Sequence, residues 1–116
     1  MNQISAKKKV QVDLKIATYR KIDSEREKVC EGCGRTNRPL SHSHLIPESY
    51  DSLHSSNPEN IRLHCLDWED GKGCHSKWED GERGVVTEME DFDENMRIIK
   101  RLNVSFYNKM ISNLNG

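Results

Sequence analysis

Two stretches decide what this chain can fold into: Cys30-Glu31-Gly32-Cys33-Gly34, and the segment running from Cys65 to Cys74-His75-Ser76-Lys77-Trp78-Glu79. The first is a C-x-x-C knuckle, where glycines allow a tight turn that points backbone amides at thiolate sulfur. The second pair is separated by eight residues, with Gly71 and Gly73 where the intervening chain must loop out. Four thiolates in tetrahedral array suit a structural zinc ion, which asks for little beyond ligand packing. A redox C-x-x-C belongs at a strand-to-helix junction within a βαβ pattern, and the chain carries no such pattern. The expected ligands of a structural Zn2+ are therefore Cys30, Cys33, Cys65 and Cys74.

Composition agrees with a stapled fold. Of 116 residues, 34% are apolar, 6% aromatic and 32% charged, which leaves a thin core of the kind that leans on a metal. No apolar run approaches the roughly 18 residues of a membrane span, and the N-terminus has no apolar export core. The expectation is a cytoplasmic protein, without membrane association, whose thiols stay reduced. The net charge of −1 hides a segregation: residues 1–28 carry +4, 29–47 carry +1, 48–94 carry −10 and 95–116 carry +4. Basic ends around an acidic middle can grip a phosphate backbone if the fold brings them to one face.

The chain divides into three parts of one domain. Residues 1–28 read as a basic arm to about Lys9 followed by a helix. Its apolar positions Val12, Ile16, Tyr19 and Ile22 step by three and four, and Lys15, Arg20, Lys21 and Arg26 fall on the outer face. Residues 29–81 lack helical period. There Leu40 to Ile46 alternates as a strand, with His42 and His44 on one side and Ser41 and Ser43 on the other, and Ile61–His64 is a second short strand. Residues 47–60, with Pro47 and Pro58, form a loop. Residues 82–116 read as a longer C-terminal helix opened by a capping box at Thr87-Glu88-Met89-Glu90. Its stripe runs through Met89, Phe92, Met96, Ile99, Phe106 and Met110, with a possible break at Asn103. Trp68 and Trp78 are expected to cover the core, and His54 and His64 have no assigned role.

The order of short motifs is more informative than any one of them. The C-x-x-C, then His44-Leu45-Ile46-Pro47, then Asn57-Pro58-Glu59-Asn60-Ile61, then Cys74-His75 at a helix start, resembles the HNH (ββα-metal, His-Me finger) endonucleases of the zinc-containing four-cysteine type. The resemblance covers residues 29–81, about half the chain. It implies a small α+β fold: a zinc-stapled ββα-metal, treble-clef-like core flanked by the two helical segments. It also implies a metal-dependent endonuclease that hydrolyses DNA phosphodiester bonds, in a bacterial or phage-infected cell. Carried onto this chain, His44 is the general base, Asn60 orients it through the backbone, and His75 is a ligand of the catalytic Mg2+, Mn2+ or similar cation.

Two positions depart from the family pattern. Ser43 stands where Asp or His usually ligates the cation, and Glu79 stands where a final His or Asn is common. On a helix beginning near Cys74, His75 and Glu79 share a face at i and i+4, so Glu79 is a plausible hard-oxygen ligand. His42, on the same side of the strand as His44, is a candidate to supply what Ser43 does not; weak or water-mediated binding by the serine is the alternative. Lys15, Arg20, Lys21, Arg97, Lys100 and Arg101 are the expected DNA-backbone contacts, and a homodimer through the C-terminal helix is an expected assembly. The competing class is a non-catalytic zinc-binding module that recognises nucleic acid or protein.

Overall fold

In the computed structural model, which describes residues 6–115, the strand-like alternation becomes β1 (Leu40–His44), paired antiparallel with β2 (Ile61–Cys65). The register sets His44 opposite Ile61, Ser43 opposite Arg62 and His42 opposite Leu63. Because successive side chains alternate across a strand, the two faces differ in chemistry. Leu40, His42, His44, Ile61 and Leu63 face one way. Ser41, Ser43, Arg62 and His64 face the other.

Helix α1 (Ala6–Glu25) covers the first face with its C-terminal half. Ile22 is buried with Ile61 and Leu63, and the Tyr19 ring stacks on His42 at a centroid distance of 4.2 Å. The helix spans positions assigned to the arm and stops before Lys28; Met1–Ser5 of the arm lie outside the described residues. Lys15 and Arg26, expected on the outer face, turn inward instead. Lys15 pairs with Glu48 at 2.8 Å. Arg26 donates to the carbonyls of Ile61 and Pro58 at 2.7 and 2.8 Å. Its aliphatic stem lets the guanidinium reach these carbonyls across the edge of the sheet. Val10, Leu14 and Ile16 stay in solvent.

The second face is covered by α2 (Cys74–Asp80), the short α3 (Arg83–Val86), α4 (Phe92–Leu102) and α5 (Val104–Asn115). Leu45, Ile46, Trp78, Val86, Met89, Met96 and Ile99 join Cys30, Cys65 and Cys74 in the main core. The expected stripe is apolar packing, but the C-terminal segment is not one longer helix, and α1, with 20 residues, is the longest described. Thr87 does not open a helix: its hydroxyl donates to the Arg83 carbonyl and closes α3. The break does occur at Asn103, an extended residue whose Oδ1 accepts from the Phe106 amide and so caps α5. Phe106, Met110 and Leu114 of α5 pack against the core of their own chain. Trp68 is 53% exposed rather than part of the core. Among the described residues no helix is long and apolar enough to cross a membrane.

The side chain of Asn60 ties the end of the loop from Ile46 to Asn60 back to its start. Fully buried Asn60 accepts from the Ile46 amide at 2.8 Å and donates to the carbonyls of Ile46 and His54, both at 3.1 Å. Removing the amide leaves the buried N–H and C=O of Ile46 unpaired, each costing about 1–3 kcal/mol, while the His54 carbonyl keeps its bond from the Asn57 amide. Asn60→Ala is therefore expected to lower unfolding free energy by about 2 kcal/mol or more in chemical denaturation of the metal-loaded protein. A loss below about 1 kcal/mol would contradict the assigned role.

Candidate metal centre and catalytic cavity

Cys30 and Cys33 come from the knuckle, Cys65 from the end of β2 and Cys74 from the first position of α2. Their sulfurs all lie within 4.8 Å of one another, and Cys33 and Cys65 are 3.9 Å apart. A tetrahedron with Zn–S bonds of 2.3 Å has edges of about 3.8 Å, so the donor set fits zinc. Backbone supports the sulfurs: the Cys65 amide donates to Cys30 at 3.2 Å and the Cys74 amide to Cys65 at 3.3 Å. The wide second spacing is taken up by a small turn in which Trp68 and Gly71 exchange backbone hydrogen bonds at 3.0 Å. Gly73 returns the chain so tightly that a Cβ there would lie 2.2 Å from the Cys65 carbonyl oxygen.

The electrostatics of the cluster call for a cation. The hydrogen bond from the Cys74 thiol, joined by amides and opposed by burial, draws Cys30 down to about 4. Cys74 is pushed up by that same pairing, then by burial and by the other sulfurs. Burial raises Cys33. Cys30 thus takes a negative charge readily, while Cys33 and Cys74 hold their protons more strongly, an asymmetry that a bound cation would offset.

Beside this staple lies a cavity of about 530 Å³, lined by His42, His44, Glu48, His75, Trp78, Glu79 and Lys109 among others. The Trp78 indole donates to the Leu45 carbonyl at 3.2 Å, tying α2 to the chain just after β1 and setting the two histidines of interest around one space. The His44 Nε2 donates to the Ser55 carbonyl at 2.8 Å. A carbonyl only accepts, so this bond leaves Nδ1 unprotonated in the neutral ring. The carbonyl on the His44 ring is Ser55's, and Asn60 pins the loop that carries it. Its own carbonyl accepts from Leu45 at 2.8 Å.

His75 Nε2 lies 3.1 Å from Glu79 Oε1, the expected i, i+4 pair. Its Nδ1 lies 3.1 Å from the hydroxyl of Ser43, which is wholly buried. The structure does not bring His42 into a ligand group with this pair: it lines the same cavity, but its ring stacks on Tyr19 and its Nε2 is 2.8 Å from Asp23 of α1. The expected DNA contacts separate. Arg20, Lys21 and Arg97 are exposed. Lys15 is paired with Glu48. Lys100 lies over the Tyr107 ring at 5.4 Å. Arg101 pairs with Glu59 and lines a different cavity with Arg26 and Arg62. Lys109, 5.2 Å from the Tyr50 centroid, does border the histidines.

Sequence reasoning missed a buried polar layer. His64 is fully buried and its Nε2 is 2.8 Å from Asp91. Burial pushes the Asp91 carboxyl up, but the hydrogen bond and charge of His64, with Asn95 and Arg62, outweigh it and hold the group below the usual carboxylate range. Arg62 binds Asn95 at 2.6 Å and Glu31 at 2.7 Å. The adjacency of His64 to Cys65 was the one available clue. Compared with known protein families, curated proteins and solved structures, the chain matches none.

Binding of structural zinc is worth about 10–16 kcal/mol, as much as the whole stability of a small domain. Cys30→Ser and Cys74→Ser are thus expected to abolish the cooperative thermal transition, and chelation of the wild type to do the same. A native-like melt of the zinc-free protein would overturn the assignment.

Proposed function

We propose that this chain is a divalent-cation-dependent DNA endonuclease of the HNH kind, built on a zinc-stapled scaffold. The observation that supports it most is the opening of His44, His75 and Glu79 onto one cavity beside the four-cysteine cluster, with His44 held in one tautomer. In this reading His44 Nδ1 takes the proton of the attacking water, a task suited to an imidazole near neutrality. Ser55 and Asn60 keep the ring in place. His75 and Glu79 hold a Mg2+ or Mn2+ ion; when bound, it supplies charge neutralisation at the scissile phosphate and the leaving oxygen. Lys109 meets the backbone beside the scissile bond, and Arg20, Lys21, Arg97 and Lys100 add exposed positive charge.

One observation favours the competing reading, a zinc module that binds nucleic acid or protein without cutting. Among the described residues only the four cysteines gather three or more protein ligands, whereas His75 and Glu79 are two. Mg2+ binding through one or two protein groups and several waters is ordinary, so two suffice for the nuclease.

Nicking of supercoiled plasmid by the zinc-loaded protein with Mg2+ or Mn2+ separates the readings. His44→Ala is expected to reduce nicking about 10²- to 10⁴-fold with zinc content and melting unchanged. No cleavage of duplex, single-stranded or branched DNA with any divalent cation would contradict the enzyme. DNA affinity is expected to fall steeply with salt, and Lys109→Ala to reduce the slope of log K against log salt by about 1. An unchanged slope would remove Lys109 from the interface.

A further inference from the structure

The position where the family pattern puts a cation ligand holds a side chain with no access to the cavity. Ser43 is 0% exposed, while His75 reaches the cavity from α2 with Glu79 beside it. Both nitrogens of His75 are engaged, Nδ1 by the Ser43 hydroxyl and Nε2 by the Glu79 carboxylate, each at 3.1 Å. A carboxylate only accepts, so without a cation Nε2 carries the ring proton and Ser43 donates to Nδ1. A hydroxyl also accepts. The same serine can therefore receive a proton from Nδ1 once Nε2 gives its lone pair to a metal.

We propose that Ser43 is a positioning residue for His75: its buried hydroxyl anchors Nδ1 in either tautomer, so that Nε2 and the Glu79 carboxylate face the cavity and take the cation. This inference rests on the cation-dependent reading above and deepens it. The serine is then no failed ligand. It supplies the hydrogen bond to the far ring nitrogen that fixes the orientation of a metal-binding histidine, a type of contact whose loss typically weakens affinity about ten- to a hundredfold.

The test uses the full, zinc-loaded chain and two readouts independent of cleavage. Long-range ¹H–¹⁵N spectra of His75 are expected to show the Nε2–H tautomer without added cation and the Nδ1–H tautomer with saturating Mg2+. Electron paramagnetic resonance of free Mn2+ is expected to show affinity weakened about ten- to a hundredfold in Ser43→Ala and restored to within a few-fold in Ser43→Thr, which keeps the hydroxyl. Zinc content and melting of each variant are measured alongside. In Ser43→Ala a melt and zinc content like the wild type, together with weakened Mn2+ binding, support positioning. Mg2+ bound with His75 still in the Nε2–H form would show that the ion does not take Nε2, overturning this inference while leaving the nuclease reading intact. No response of His75 to Mg2+ or Mn2+ would overturn both. Unchanged Mn2+ affinity in Ser43→Ala would overturn the role of the serine alone.

Discussion

Four sulfurs drawn from three separate parts of the chain are the constraint on which the structure depends. The knuckle at Cys30 and Cys33, the end of β2 at Cys65 and the start of α2 at Cys74 have little apolar surface of their own to join them. A two-stranded sheet is marginal by itself, and the main core amounts to a few aliphatic side chains, one tryptophan and the cysteines. Gathering the thiolates fixes where β2 ends and α2 begins. That junction, with the Trp78 indole on the Leu45 carbonyl, decides where His75 stands relative to His44.

The arrangement then separates three tasks by layer. The cysteines hold the scaffold. Asn60 and the polar layer of Arg62, Asn95, His64 and Asp91 hold the loop and sheet without apolar bulk. The histidines and Glu79 are left at the cavity wall. The buried polar groups are costly to bury singly, and pairing between His64 and Asp91 and between Arg62 and Asn95 offsets part of that cost. Among the described residues, His64 Nδ1, Asp91 Oδ1 and Asn95 Nδ2 have no partner. Their presence accounts for how a chain so rich in charge still encloses a core.

What was legible in the sequence followed from short-range geometry. The helix carrying Val12, Ile16, Tyr19 and Ile22, the strand within Leu40–Ile46, the i, i+4 pair of His75 and Glu79 and the interruption at Asn103 depend on one element's own periodicity and are found. Ile16 nevertheless stays exposed, and the strand ends at His44 with Leu45 and Ile46 both buried. What was not legible depends on what lies opposite. Thr87 has the residues of a capping box, yet Glu82 and Arg83 start a helical turn before it and use its hydroxyl as a terminator. Lys15 and Arg26 sit at polar helix positions, but the loop carbonyls and Glu48 that attract them are far along the chain. The carbonyl on the His44 ring belongs to Ser55, which no periodicity reveals, and Asn60 bonds the chain on either side of that contact. His42 shares a face with His44 and still does not meet His75, since Tyr19 and Asp23 claim it.

The central claim is that one zinc-clamped scaffold holds a second, hard-cation site at His75 and Glu79 facing His44. Anomalous diffraction from crystals of the zinc-loaded protein grown with Mn2+ tests it most directly. The account predicts a zinc peak among the four cysteines and a separate manganese peak on His75 Nε2 and Glu79, inside the cavity lined by His44. Zinc at the cysteines with no manganese at His75, at saturating Mn2+, would contradict it.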